Sequence, residues 1–230
     1  MPQLAKITKG NLSEQVYGSI RASLMDGRYE PGARLTIANL AEQLGVSITP
    51  VREAIFRLVS ERALEMRAAT SIHVRNLTPS ELREIQIIRH HLEGEAAAQA
   101  AGRIGSAALA EMESLQRSFS EAAATDPLEA SRLNREFHFR LAEAAEMPLL
   151  LVTIESMWAQ MGPLIHLYHQ NTPPRVLVSR EHGHYQVLTA LRTRDAEAAR
   201  AAIQADIGVG AVMVAWLETK GAVMAAPVAG

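Results

Sequence analysis

The chain has 230 residues, 48% of them hydrophobic and 21% charged, with no cysteine and a formal net charge of −2. At roughly 150 residues per domain, that length makes one or two domains, each able to bury a core. The missing cysteines exclude a disulfide framework, an iron–sulfur cluster, a thiolate zinc site and a cysteine nucleophile.

Aromatics make up only 4% while alanine is abundant, which favours helices packed closely through small residues. No apolar run reaches the roughly 20 residues of a membrane span. The polar sequence after Met1-Pro2-Gln3-Leu4-Ala5-Lys6 lacks a signal-peptide core. A cytoplasmic protein without membrane contact is expected. Charge is uneven along the chain. Residues 1–78 carry 10 Lys and Arg against 7 Asp and Glu, a balance of +3, and the remainder carries 13 against 18, a balance of −5, with seven of the eight histidines. A mildly basic head on an acidic, histidine-rich body points to two jobs in one chain.

Leu12, Val16, Ile20 and Leu24 recur at helical spacing, and Asp26-Gly27 followed by Pro31-Gly32 stops that helix. A short helix follows at Thr36–Leu44, with Thr36 as N-cap and Gly45 as terminator. Ser47 can cap a third helix with Pro50 in its first turn and Ala54, Ile55, Leu58 and Val59 as its buried stripe. Ala63–Arg67 and Ser71–Arg75 read as two short strands around a tip at Ala68-Ala69-Thr70. Three helices, a tight turn at Gly45-Val46-Ser47 and a β-hairpin make a winged helix-turn-helix over residues 1–78. Thr78-Pro79-Ser80-Glu81 opens a different regime of long helical segments near 79–101, 106–124, 127–146, 149–169, 174–193 and 195–218. The breaks fall at Gly102/Gly105, Asp126-Pro127, Pro148, Pro173-Pro174 and Arg194-Asp195. The fold class is therefore mostly α: a winged helix-turn-helix followed by an antiparallel α-helical bundle over 79–220. Residues 221–230 form a frayed tail.

A helix lying in the major groove needs cations for phosphates and polar side chains for base edges. The third helix offers Ser47, Thr49, Arg52 and Arg57, with Pro50 and Val51 shaping its start, and Arg67 and Thr70 on the wing are placed to reach the backbone or minor groove. Alternatively, Arg52 pairs with Glu53 or Glu42 on a solvated face. Pro31-Gly32-Ala33-Arg34-Leu35, Leu40-Ala41-Glu42-Gln43-Leu44-Gly45-Val46-Ser47, Thr49-Pro50-Val51-Arg52-Glu53-Ala54 and Arg57-Leu58 together resemble the head of the GntR-family regulators. The resemblance implies a homodimer on a short palindromic duplex-DNA operator, with Arg52 contacting a base and Thr49 and Pro50 beside it. Three positions depart from the family pattern. Ile48 stands where an arginine is usual, Arg62-Ala63 replaces a glycine turn after Glu61, and the wing reads Arg67-Ala68-Ala69-Thr70-Ser71. Losing a bidentate guanine reader at 48 removes about 1–3 kcal/mol of discrimination, so an altered operator is expected.

In the body, Asn134 and His138 share one helix face with Leu133, Phe137 and Leu141; His184 lies beside Val187, Leu188 and Leu191, and Asp206 among Ala202, Ile203 and Val209. Two imidazoles and two oxygen donors from three helices suit zinc, nickel, manganese or iron, and spacing alone also fits a buried hydrogen-bonded network without metal. His182, two residues from His184, is expected to point elsewhere. Arg89-x-x-Leu92-Glu93, Asn134-Arg135-Glu136-Phe137-His138, Glu181-x-x-His184-x-x-Val187-Leu188-x-Ala190-Leu191 and Asp195-Ala196-Glu197-Ala198-Ala199 resemble the FCD effector-binding domain of the FadR subfamily. That resemblance implies a divalent-metal site of one Asp and three His. The Asp falls on Asn134, the first two His fall on His138 and His184, and the third falls on Asp206. The two exchanges leave the formal ligand charge at −1. Zinc, nickel or manganese is then the expected ion, with open positions for the carboxylate of a small organic acid. Arg89 is a candidate second clamp for such an acid, or else an ion-pair partner of Glu93 at i+4. The function implied is a transcriptional regulator, a repressor in the common case, whose operator binding responds to that acid. Two other classes stay open. Two His and a carboxylate also form a catalytic arrangement for a metal-dependent enzyme acting on a small carboxylic acid, and a metal-free cluster would leave the body as a dimerisation scaffold for a DNA-binding head.

Overall fold

The computed structural model describes residues 12–67, 71–171 and 182–225. The wing tip with Thr70 and the Pro173-Pro174 break lie outside them. Among the described residues the chain runs α1 (Leu12–Met25), β1 (Arg34–Leu35), α2 (Ile37–Leu44), α3 (Ile48–Ser60), β2 (Leu64–Arg67), β3 (Ser71–Val74), α4 (Pro79–Arg103), α5 (Ser106–Ala123), α6 (Pro127–Ala144), α7 (Pro148–Gln170), α8 (Gly183–Thr193), α9 (Ala196–Gly208) and α10 (Ala211–Ala225).

The head is a winged helix-turn-helix built by local signals. The Thr36 hydroxyl accepts from the Asn39 N–H at 3.3 Å and starts α2, and Gly45 at φ 64° ends it in the left-handed conformation that glycine takes most cheaply. The turn delivers α3, whose Val51, Ala54, Ile55 and Leu58 bury against Val16, Ile20 and Leu24 of α1. β2 and β3 pair antiparallel, with Leu64 opposite Val74 and Arg67 opposite Ser71, and β1 adds to β3 to give the order β1-β3-β2. β1 is only two residues long and left no periodic signal in the sequence. Arg62 occupies the left-handed region at φ 60°, the conformation for which the absent glycine would be preferred.

α4 begins with a full capping box. The Thr78 hydroxyl accepts from the Glu81 N–H, and the Glu81 carboxylate accepts from the Thr78 N–H at 2.9 Å. Its small residues Ala97, Ala100 and Ala101 share one core with Ala199, Ala202 and Ile203 of α9, so α4 and α9 pack closely. α5 pairs with α6 and α8 with α9, completing the bundle. Two sequence expectations need correction here. The single helix expected at 195–218 is two helices, α9 and α10, separated at Val209-Gly210. Gly208 and Gly210 lower helix propensity on both sides of Val209. The frayed tail does not start at residue 221, because α10 continues to Ala225. The stretch Ala196–Thr219 also reaches the length and mean hydropathy of a membrane span. It is a run of small residues interrupted by that break, and α9 within it packs on α4 and α8.

The head sits on the body through α1 and α7. Arg21 pairs with Glu155 at 2.9 Å, and Asp26 just beyond α1 pairs with Arg135 of α6 at 2.7 Å. Gly162 lets the end of α1 lie directly on α7, since a Cβ there would stand 2.5 Å from the Leu24 carbonyl oxygen and 2.6 Å from the Met25 Cα. Those obstacles are backbone atoms and cannot swing aside. Gly162→Ala should therefore destabilise the protein by about 1–3 kcal/mol in urea denaturation. Gly18→Ala, where nothing lies within 4 Å, should leave the protein as stable or more so.

Candidate functional site

α3 presents an exposed face made of Ser47, Ile48, Thr49, Arg52, Glu53 and Phe56. Ser47 occupies the N-cap position, but its hydroxyl makes no capping bond. Among the described residues Arg52 has no ion pair or hydrogen bond, and Glu53 instead accepts from the Ser13 hydroxyl of α1. The pairing of Arg52 with Glu53 or Glu42 is not formed. Arg57 differs from expectation. Its guanidinium lies 3.6 Å from the centre of the Tyr17 ring, 2.7 Å from Glu14 and 3.2 Å from Glu61, so it fastens α3 to α1. Pro50 is buried and shapes the helix start rather than facing outward. On the wing, Arg67 is exposed and pairs with Glu65 at 2.5 Å.

In the body, α6, α8 and α9 converge. His138 of α6 and His184 of α8 are buried, and their Nε2 atoms lie 3.3 and 3.6 Å from the Asp206 Oδ2 of α9. One donor atom from each of the three lies within 4.8 Å of the other two. Gly183 makes the approach possible, because a Cβ there would stand 2.7 Å from the Asp206 Cβ. His182 also joins the group, with its Nε2 3.7 Å from the Asp206 Oδ1 and its ring centre 4.5 Å from that of His184. It was expected to point away on helical spacing. His182 is instead the N-cap of α8, with extended backbone (φ −74°, ψ 135°), so the 100° step between helical neighbours does not apply to it. Asn134, one turn before His138, lines the same cavity of about 190 Å³.

Each imidazole is oriented from behind. The His138 Nδ1–H donates to Glu93 Oε2 at 2.5 Å, and the His184 Nδ1–H donates to the Gln116 side-chain oxygen at 2.7 Å. With Nδ1 engaged in both rings, each Nε2 carries the lone pair that a metal takes. The His184 Nε2 is buried and has no hydrogen-bond partner. An orphaned imidazole nitrogen facing a carboxylate fits a divalent cation bound by nitrogen and oxygen donors. Glu93 also accepts from the Arg89 Nε at 2.6 Å and from the Trp158 indole at 3.3 Å, while the Arg89 guanidinium lies 4.1 Å from the centre of the Trp158 ring. Arg89 is thus both paired with Glu93 and part of the cavity wall. Neither Gln116 nor the role of Glu93 behind His138 was visible in the sequence, since both depend on which helices meet.

The charges settle accordingly. Burial pushes the Glu93 carboxyl up, but Arg89 and His138 outweigh it and hold the group down at about 2. Burial likewise raises Asp206, and the two imidazoles outweigh it and lower the group well below its ordinary range. Burial holds His184 down at about 4, hence neutral, whereas His138, opposed by burial but flanked by Glu93 and Asp206, is raised.

Residues 12–74 match the model of the bacterial regulatory proteins of the gntR family, and residues 84–208 match the FCD domain. The HTH-type transcriptional regulator McbR of Escherichia coli is 36% identical over 201 residues, 87% of this chain and 91% of that protein. The chain belongs to the GntR family. The putative L-lactate dehydrogenase operon regulatory protein of the same species is 30% identical, covering 85% of this chain and 83% of that one. The solved structure of E. coli McbR/YncC superposes with a TM-score of 0.82 at 33% identity, covering 90% of this chain and 99% of that structure. This GntR-family member is a transcriptional regulator with an FCD domain, and its relatives are regulators rather than enzymes. Its head implies DNA binding and its body a small-molecule effector. 

Glu93→Gln removes the charge that holds Arg89 and His138. Near pH 7 the loss should be about 3–5 kcal/mol, because the buried Arg89 guanidinium is left without its counter-charge and His138 without its charged acceptor. Glu93 sits at about 2 in the folded chain against 4.5 ordinarily, so its contribution is full above 4.5 and fades as the pH falls towards 2. Urea midpoints of parent and variant should therefore converge on acidification towards about pH 3. An equal gap at both pH values would contradict this assignment.

Proposed function

We propose that this regulator is a homodimeric repressor acting on DNA in the bacterial cytoplasm. On this reading it holds a palindromic operator with two copies of α3 and is controlled by a small carboxylic acid at a divalent metal in the body. The head comprises residues 1–78 and the body 79–220. His138, His184 and Asp206 would hold the ion, with Asn134 beside them in the same cavity. The observation that carries the reading is the His184 Nε2: buried, unpartnered, oriented by Gln116 and facing a carboxylate. A bound ion would supply Lewis-acidic positions for a ligand carboxylate. The metals that suit imidazole with carboxylate are zinc, nickel and manganese.

Around that ion the chain's own groups do the recognition. Trp158, Tyr168 and Phe119 line the cavity, and Arg89 places a guanidinium on it. The name of the relative tied to an L-lactate dehydrogenase operon supports a small hydroxy or keto acid as the effector class. Two further relatives carry the name repressor, at 25% and 28% identity. A route from site to head lies along α6. Asn134 and His138 face the cavity, while Arg135 on the same helix pairs with Asp26 of the head. A ligand that binds two arrangements of α6 with different affinity would shift the head by that difference alone.

The test follows binding to a selected duplex by fluorescence anisotropy with chelator-stripped protein, then with protein reloaded with zinc, nickel or manganese, across a panel of small acids. One acid should change DNA affinity roughly 5- to 150-fold, the usual range of such coupling, and only in the reloaded protein. His138→Ala/His184→Ala should abolish that response while still binding the duplex. DNA affinity indifferent to chelator and to every acid would leave the body as a dimerisation scaffold and overturn the proposal.

A further inference from the structure

The exposed face of α3 is not uniformly polar. Ile48 keeps 49% and Phe56 52% of its surface in water, on either side of Arg52. At 3.6 residues per turn, positions 48, 52 and 56 fall within about 80° of one another. That sector borders the buried arc of Val51, Ala54, Ile55 and Leu58, which pack into the core of the head. Ile48 takes no part in that core. It is the first residue of the helix, directly after the Gly45-Val46-Ser47 turn, and in a helix-turn-helix this end of the second helix meets the base edges. The charged neighbours are withdrawn from it: Glu53 is tied to Ser13 of α1, and Arg57 to Glu14, Glu61 and Tyr17. 

An aliphatic side chain cannot satisfy a donor or acceptor on a base edge, and placing it against one would strand a polar group. The major groove offers a single apolar feature, the C5-methyl of thymine. We infer that Ile48 reads a T·A pair in the operator through contact with that methyl. Side chains one turn apart on a helix stand about 5–6 Å from one another, and successive bases on a strand are about 3.4 Å apart. The thymine therefore lies within one or two base steps of the base that Arg52 reaches. The specificity this residue carries is of a different kind from hydrogen-bond readout, since a hydrogen bond to thymine O4 survives loss of the methyl and an apolar contact does not.

The inference rests on DNA reading by α3, and the experiment separates the two. Duplexes are selected from a random-core library with the full-length protein, and each thymine of the consensus is replaced in turn by uracil, which lacks only the methyl. Parent protein should lose about fourfold in affinity at one thymine per half-site, the worth of one buried carbon group. Ile48→Ala should bind thymine and uracil duplexes alike, Ile48→Val should keep most of the discrimination, and Ile48→Arg should move the preference at that position towards guanine. Ile48 is half-exposed and outside the core, so these variants keep the fold. A consensus with no uracil-sensitive thymine would overturn the inference and leave DNA reading intact. Uracil sensitivity that persists in Ile48→Ala and vanishes in Phe56→Ala would also overturn it, by moving the contact to Phe56. Failure to select any consensus would overturn both.

Discussion

A carboxylate that is 2% exposed determines how the body is assembled. Glu93 on α4 is stable there only because Arg89, one turn earlier, His138 of α6 and the Trp158 indole of α7 all reach it. A buried charge without partners costs several kcal/mol, and the pairing repays that cost only when the geometry is good. Three helices are thereby fixed around one functional group. The consequence for the site is direct: with Nδ1 of His138 committed to Glu93, its Nε2 has a single orientation, towards Asp206. Gln116 does the same for His184. The two imidazoles are held in a donor-outward tautomer by groups that would not touch a ligand.

The same helices place the head. α7 carries Trp158 in the cavity wall and, one turn on, Gly162, where α1 lies against it. α6 carries His138 towards Asp206 and Arg135 towards Asp26. Site and head thus contact the same two helices, α6 and α7. The exposed face of α3 stands on that platform, with Arg52 unpaired among the described residues and Ile48 at the leading end.

Much of this is legible in the sequence. Thr36, Gly45, Pro50 and the Thr78–Glu81 box act within a few residues of themselves, so the head and the start of the body could be read from them. Asn134 with His138, and separately His184 and Asp206, were identifiable as inward polar positions on amphipathic helices. Other features depend on contacts that sequence spacing does not encode. The position of Arg57 on the third helix predicts groove contact, yet Tyr17 and Glu14 of α1 hold it. Helical periodicity turns His182 away from the cluster, but it does not govern a cap residue whose backbone is extended. Glu93 and Gln116 matter because of neighbours 45 and 68 residues distant. The split between α9 and α10 was masked by a continuous run of small apolar residues, and β1 was too short to show a period.

On the proposed reading, His138, His184 and Asp206 hold a divalent ion. X-ray absorption on the nickel-loaded protein tests it most directly, because imidazole rings leave a scattering signature that water and carboxylate do not. Imidazole scattering is expected in the nickel shell of the parent, and its loss from a His138→Ala/His184→Ala variant that still folds. A shell of oxygen atoms alone, or an imidazole signature unchanged in that variant, would contradict it.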